Sequence, residues 1–152
     1  MLLRTHLVIA ILLILLLFNQ INSKILFIIF FLLATYFPDI DTKSSKPGKN
    51  ILLRPLQLFL SHRGMFHSFI FLSVLSALIY LFSKEAGIAF FLGYLLHLAL
   101  DALTPNGIKF FWPLSSFKIK FFIKSGSIIE EVIFVLVLLV DIFLTIKLFF
   151  SI

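Results

Sequence analysis

The chain has 152 residues, is 61% hydrophobic and has a mean hydropathy of +1.16. Its long apolar runs exceed what a water-soluble core of this size can bury, so composition predicts a single integral membrane domain over residues 1–152. The absence of cysteine excludes disulfides and thiolate metal sites. The net charge is +6, and the basic residues are scattered between the apolar runs. This distribution favours membrane lipid, and not nucleic acid, as the partner.

Five apolar segments predict an all-α, polytopic membrane helical bundle, with spans in chain order at residues 7–18, 25–37, 68–82, 87–103 and 132–150. Several are shorter than the roughly 20 residues that cross a bilayer, so flanking residues or local thinning must make up the difference. The first span follows Arg4 as a signal peptide would, but residues 19–23 offer no small-residue cleavage site. We therefore expect it to be retained.

Two longer connections separate these spans in the sequence, and the first of them has two parts. Residues 42–50 are rich in Lys, Ser, Pro and Gly and predict an exposed loop. Residues 51–60 are apolar but too short to cross, which favours an interfacial or re-entrant segment before the third span. Residues 104–126 open with a Thr-Pro-Asn-Gly turn and continue with aromatics that favour the headgroup level.

Crossing at each span predicts that the ionisable side chains near the span ends lie on one face of the membrane. This set comprises His6, Asp39, Asp41, His62, His67, His97, Asp101 and Glu130. Ten of the thirteen basic residues fall on the same side, against Lys24, Lys84 and Lys147 on the other. The positive-inside rule therefore predicts that the site faces the cytoplasm. Basic residues that bind substrate phosphate would add to the same excess of positive charge.

Spacing favours a metal site at the ends of the second and fourth spans. His97 and Asp101 are four residues apart and share a helix face; a helix-stabilising pair is the alternative, but ionisable groups are costly in an apolar span. Asp39 and Asp41 could be turn residues. However, the C-terminal end of a helix disfavours carboxylates, and a bound cation would relieve the conflict.

Other candidates have stronger alternative interpretations. Around His62 and His67, an interfacial loop would account for Arg63 on lipid phosphate and for Ser68 as a helix cap, but not for both histidines. Glu130 ends the capping-box pattern that begins at Ser127, so capping and metal binding are equally favoured. A lone histidine near a terminus, such as His6, is commonly just solvated.

Several short motifs together resemble one family across nearly the whole chain. They are Thr5-His6, Pro38-Asp39-Ile40-Asp41, His62-Arg63-Gly64, His67-Ser68, His97 with Leu100-Asp101, Thr104 with Gly107, Trp112-Pro113, and Gly126-Ser127 with Glu130. In this order they resemble the YdjM-like family, whose members are described as LexA-regulated inner-membrane proteins with inferred metal-dependent hydrolase activity. Phe66 stands where the family more often has Thr. A weaker similarity links the spaced His and Asp residues to zinc-dependent phospholipases C.

Ligand counting and this resemblance together predict a metal-dependent hydrolase. The candidate ligands exceed the three or four of one catalytic ion, which favours two or more divalent ions, with zinc first and manganese or iron as alternatives. The predicted ligands are His6, Asp39, Asp41, His62, His67, His97 and Asp101. Glu130 is predicted as a ligand or general base, and Arg63 as the group that holds a phosphate oxygen.

A site at the interface predicts a lipid-borne ester as substrate, with a phosphoester favoured. The alternatives are a metal-ion or proton transporter, and a membrane adaptor whose metal only ties helix ends together. A transport path needs polar groups at several depths, whereas here they collect at one side, with Asp141 as the exception. The sequence leaves the oligomeric state open.

Overall fold

The computed structural model describes residues 1–41 and 65–150, without the side chains of Ile40 and Asp41. Five α-helices follow one another: α1 (Leu3–Leu17), α2 (Lys24–Tyr36), α3 (Phe69–Phe82), α4 (Lys84–Ala102) and α5 (Ile128–Phe150). Short 3₁₀ turns follow α1 and α2 at Phe18–Gln20 and Phe37–Asp41, and another precedes α3 at Met65–His67. The predicted all-α bundle is confirmed, since the described residues contain no strand and only an isolated bridge between Ile108 and Ile119.

Helix length separates the five helices into two groups. α4, α5, and α1 with its 3₁₀ turn are long and apolar enough to cross a membrane. α2 and α3 have 13 and 14 residues, or about 20 Å each, which is less than a hydrocarbon core of about 30 Å. The predicted short spans are therefore short helices. The predicted loop at residues 42–50 and the predicted interfacial segment at residues 51–60 lie outside the described residues.

α4 is the central helix of the bundle. About 61% of the apolar stretch of α4 is buried inside the protein, against 6% of the apolar stretch of α5. One side of α4 joins α1 and α2 in a cluster built on Phe31 and Ala89. Another side joins α2 and α3 around Leu72 and Tyr94. α5 packs mainly on α1, so most of its surface remains free to contact lipid.

Gly93 allows α2 to approach α4 closely. A Cβ at this position would lie 2.2 Å from the carbonyl oxygen of Phe31, so only glycine fits the contact. The Thr35 hydroxyl lies in the same contact. It donates hydrogen bonds of 2.9 Å to the Phe31 carbonyl and 3.3 Å to the Gly93 carbonyl. The separation between α2 and α4, and thereby the position of Asp39 relative to His97, depends on this glycine.

We expect Gly93→Leu to lower the free energy of unfolding by at least about 1–3 kcal/mol, because the added side chain meets backbone and forces the helices apart. The matched control is Ala99→Leu, which adds the same side chain to an exposed position of α4. Thermal unfolding in detergent, followed by circular dichroism, measures both. Equal melting temperatures for the two variants would contradict this account of the α2–α4 contact.

Candidate metal centre

Helix ends from four parts of the chain meet at one buried site. His6 lies in the first turn of α1, Asp39 follows α2, and His67 ends the turn before α3. His97 and Asp101 lie in the last turns of α4. The structure thus brings together five of the side chains that the sequence predicted to share one face of the membrane.

Asp101 is at the centre of this cluster. Its Oδ1 lies 3.5 Å from His6 Nε2, and its Oδ2 lies 3.6 Å from His67 Nε2 and 4.0 Å from His97 Nε2. All three imidazoles and the carboxylate are buried. The amino group of Met1 is 2.6 Å from Oδ1. A buried carboxylate that three imidazole nitrogens face is an arrangement that binds cations well.

Two of the histidines are fixed in a single tautomer. His97 Nδ1 lies 2.8 Å from the Thr35 carbonyl oxygen, and His6 Nδ1 lies 3.1 Å from the Leu2 carbonyl oxygen. A carbonyl can only accept, so Nδ1 carries a proton in each ring, and in the neutral imidazole Nε2 has the free lone pair. Neither Nε2 makes a hydrogen bond within the described part of the chain. Metal-binding histidines commonly have this support on the opposite nitrogen.

Asp39 closes the cluster on its most accessible side. Its Oδ1 lies 3.9 Å from His97 Nε2, and its side chain is 20% exposed while that of His97 is fully buried. Burial, together with the nearby negative charge of Asp101, raises the pKa of Asp39, and this effect is partly offset by His6 and His67. A cation between the two carboxylates would remove their mutual repulsion.

The spacing of these atoms fits a divalent ion. Ligand atoms about 2.1 Å from a tetrahedral ion lie about 3.4 Å apart, and the nitrogen–oxygen separations here are 3.5–4.0 Å. Two triads have ligand atoms within 4.8 Å of one another: His6, His97 and Asp101, and Asp39, His67 and His97. The residues therefore suit a metal held by imidazole and carboxylate.

The described side chains supply ligands for one ion position. Both triads use His97, whose Nδ1 is already bound to Thr35, so its single available lone pair can serve only one ion. A second ion would need ligands such as Asp41 and His62. His62 and Arg63 lie outside the described residues, as does the side chain of Asp41. The expectation of two or more ions stays a prediction.

Glu130 lies beside the cluster, and its carboxylate binds two main-chain amides. Its Oε1 accepts a hydrogen bond of 2.7 Å from the Leu2 amide, and its Oε2 accepts one of 2.7 Å from the Gly126 amide. The Ser127 hydroxyl accepts from the Glu130 amide at 3.4 Å, so one half of the predicted capping box is present. The carboxylate thus links the start of α1 to the start of α5.

Two further acidic residues lie apart from the cluster. Glu131 forms an exposed ion pair with Arg4. Asp141 is buried in α5 about 16 Å along the helix from Glu130, and neither carboxylate oxygen has a hydrogen-bond partner within residues 1–41 and 65–150.

Sequence reasoning missed the groups that support the ligands. The Tyr94 hydroxyl donates 2.5 Å to the carbonyl of Phe66, the residue before His67. The Thr104 hydroxyl donates 2.8 Å to the Asp101 carbonyl. Tyr94 lies three residues before His97 on α4, which is a detectable signal for a shared helix face. The Thr35 carbonyl is a main-chain group, and no residue type marks it.

The fold and the cluster define a class of protein: a helical integral membrane protein with a buried His and Asp cluster at the ends of its helices. The chain matches the family described as YdjM inner membrane protein over residues 1–150. It belongs to this family, as the order of its motifs indicated.

Curated relatives agree with this assignment. The inner membrane protein YdjM of Escherichia coli (strain K12) and that of Shigella flexneri are each 33% identical over 91 residues, covering 54% of this chain and 46% of the relative. The uncharacterized protein YvsG of Bacillus subtilis (strain 168) is 31% identical over 101 residues, or 63% of each chain. The match thus spans about half to two thirds of these relatives. No solved structure matches the chain.

We expect Asp101→Asn to reduce divalent-metal affinity by at least roughly 10- to 100-fold, since the central carboxylate loses its charge. Asp141→Asn is the matched control, because it neutralises another buried carboxylate of a membrane helix away from the cluster. Metal analysis of detergent-purified protein, with zinc titration of the metal-free form, measures both. Equal metal content in the two variants would contradict the assignment of the cluster.

Proposed function

We propose that the protein is a membrane-bound metal-dependent hydrolase that acts on a lipid-borne phosphoester at the membrane interface. The observation that carries this proposal is the pair of buried imidazoles, His6 and His97. Each has Nδ1 on a main-chain carbonyl and Nε2 directed at the Asp101 carboxylate. Leaving two such nitrogens buried and without a hydrogen bond is costly unless they bind a ligand.

In this proposal His6, His67, His97, Asp39 and Asp101 hold a divalent ion, with zinc the first choice. Such an ion polarises a phosphoryl oxygen and lowers the pKa of a bound water. The histidine Nδ1 contacts would keep the rings oriented during turnover, because rotation of either ring breaks a hydrogen bond to the main chain. Asp39, as the most accessible ligand, would meet the incoming substrate.

The depth of the site supports a lipid as the substrate. The cluster lies at helix ends, whereas the bodies of the helices are apolar and α5 exposes most of its surface. A lipid can therefore remain in the bilayer while its headgroup phosphate reaches Asp39. We assign Arg63 to a non-bridging phosphate oxygen, since a guanidinium binds such oxygens in pairs.

Among the residues that the structure describes, most of the basic ones lie at the same end of the bundle as the cluster. Arg4 and the lysines between α4 and α5 lie at the end where the cluster forms, while Lys24, Lys84 and Lys147 lie at the opposite helix ends. By the positive-inside rule we propose that the site faces the cytoplasm. This orientation would give the enzyme access to lipids of the inner leaflet.

The distribution of buried polar groups supports an enzyme over a transport path. The buried ionisable side chains of the described residues collect at the cluster, apart from Asp141. Ion and proton paths need such groups at successive depths. A single layer of ligands at one interface is the arrangement that chemistry on a headgroup requires.

We expect Asp39→Asn to abolish hydrolysis while the protein stays folded, because it removes an accessible ligand at the surface of the cluster. Turnover is measured on a panel of phospholipids and isoprenoid phosphates in detergent, before and after chelation and with zinc restored. Glu131→Gln is the control, since it neutralises an exposed acid that pairs with Arg4. Hydrolysis that survives both chelation and Asp39→Asn would overturn the proposal.

We further propose that Glu130 is a positioning residue, because main-chain amides already engage both of its oxygens. Glu130→Gln keeps only one acceptor, so α1 and His6 should be held less firmly and zinc affinity should fall roughly 10-fold or more. Zinc titration and turnover at saturating zinc are measured together. Unchanged zinc affinity with lost turnover would instead identify Glu130 as the general base.

A further inference from the structure

We propose that the connector between α4 and α5, residues 103–127, is a docking surface for the headgroups of anionic phospholipids in the host membrane. It has four lysines and no acidic residue over its whole length. This inference does not depend on the metal or on hydrolysis, because none of the ligands described above lies in the connector.

The connector has a defined fold close to the helix ends. Ile108 and Ile119 exchange two main-chain hydrogen bonds of 3.0 Å, and the Ile123 amide donates 3.0 Å to the Leu103 carbonyl. Its outward leg is attached to α3, since the Phe69 amide donates 2.8 Å to the Phe110 carbonyl. The return leg passes so close to Gly107 that a Cβ there would lie 2.4 Å from the Ile119 carbonyl oxygen.

Despite this order, the connector exposes large apolar side chains. Their exposed fractions run from 49% to 83%, and they are Phe111, Leu114, Phe117, Phe121 and Phe122. A folded segment that is held by main-chain hydrogen bonds and still presents five such side chains needs another apolar phase to cover them. Aromatic residues are enriched at the level of the lipid headgroups.

The lysines give the surface its charge. Lys118, Lys120 and Lys124 are exposed and alternate with the aromatic side chains along the return leg. The connector begins where α4 ends and finishes where α5 begins, and both helices are long enough to cross the membrane. The lysines therefore lie at the height of lipid phosphate, where each favours anionic lipid.

Composition favours lipid over a protein partner. Protein interfaces contain aromatic residues but are depleted in lysine. Exposed lysine mixed with phenylalanine is instead typical of segments that lie in a membrane surface, with rings in the acyl boundary and ammonium groups on phosphate. The absence of acidic side chains from the connector removes the repulsion that anionic headgroups would otherwise meet.

Trp112 is the chain's single tryptophan and lies within the connector, so its fluorescence reports the local lipid. The protein is placed in nanodiscs of zwitterionic lipid that contain a minor fraction of brominated lipid, either anionic or zwitterionic. At the same lipid fraction, we expect the anionic brominated lipid to quench Trp112 as strongly as an at least about threefold higher fraction of the zwitterionic one. The reason is that each nearby lysine favours anionic over zwitterionic lipid several-fold. Added salt should reduce this preference.

The deciding comparison is between two triple variants of equal charge. K118Q/K120Q/K124Q should lose the anionic preference, and K24Q/K84Q/K147Q, which changes exposed lysines at the opposite helix ends, should retain it. Equal quenching by the two brominated lipids in the unaltered protein would overturn the proposal, as would equal losses in both triples. If neither brominated lipid quenches Trp112, something other than lipid covers the connector, and this result would also overturn the proposal.

Discussion

Burial of Asp101 is the constraint on which the arrangement of the helices depends. A carboxylate away from water is costly unless charged or hydrogen-bonding groups surround it. Here the charged amino group of Met1 lies 2.6 Å from Oδ1, and the imidazoles that face the carboxylate come from three separate elements: His6 from α1, His67 from the turn before α3, and His97 from α4 itself. The ends of these elements must therefore converge. α4, which supplies both His97 and Asp101, is the central helix of the bundle, whereas α5 supplies none of these groups and remains peripheral.

The convergence of these side chains on one face could be predicted by counting the membrane crossings along the chain. Apolar segments that cross in turn bring alternate ends to the same face, and the spacing of His97 and Asp101 defines a common helix face. The supporting groups could not be found in the same way. The carbonyl that fixes His97 belongs to Thr35, and any residue type presents a main-chain carbonyl. Its position depends on how closely α2 approaches α4, which Gly93 allows.

Glu130 shows how a correct local pattern can miss a distant contact. The capping-box motif predicted the contact with Ser127, and that contact is present. The carboxylate, however, turns to the Gly126 amide and to the Leu2 amide, which is 128 residues away in sequence. Local spacing has no information on a partner so far along the chain. The pattern left capping and metal binding equally favoured, whereas the structure adds the attachment of α1.

The link between Leu2 and Glu130 also has a consequence for biogenesis. The two residues that it joins are 128 positions apart, so Leu2 leaves the ribosome well before Glu130 is made. α1 therefore enters the membrane with His6 still lacking the contact that holds the start of its helix, and must wait for α2, α3 and α4 to follow. The support of α1 by α5 thus comes only after the helices between them have been made.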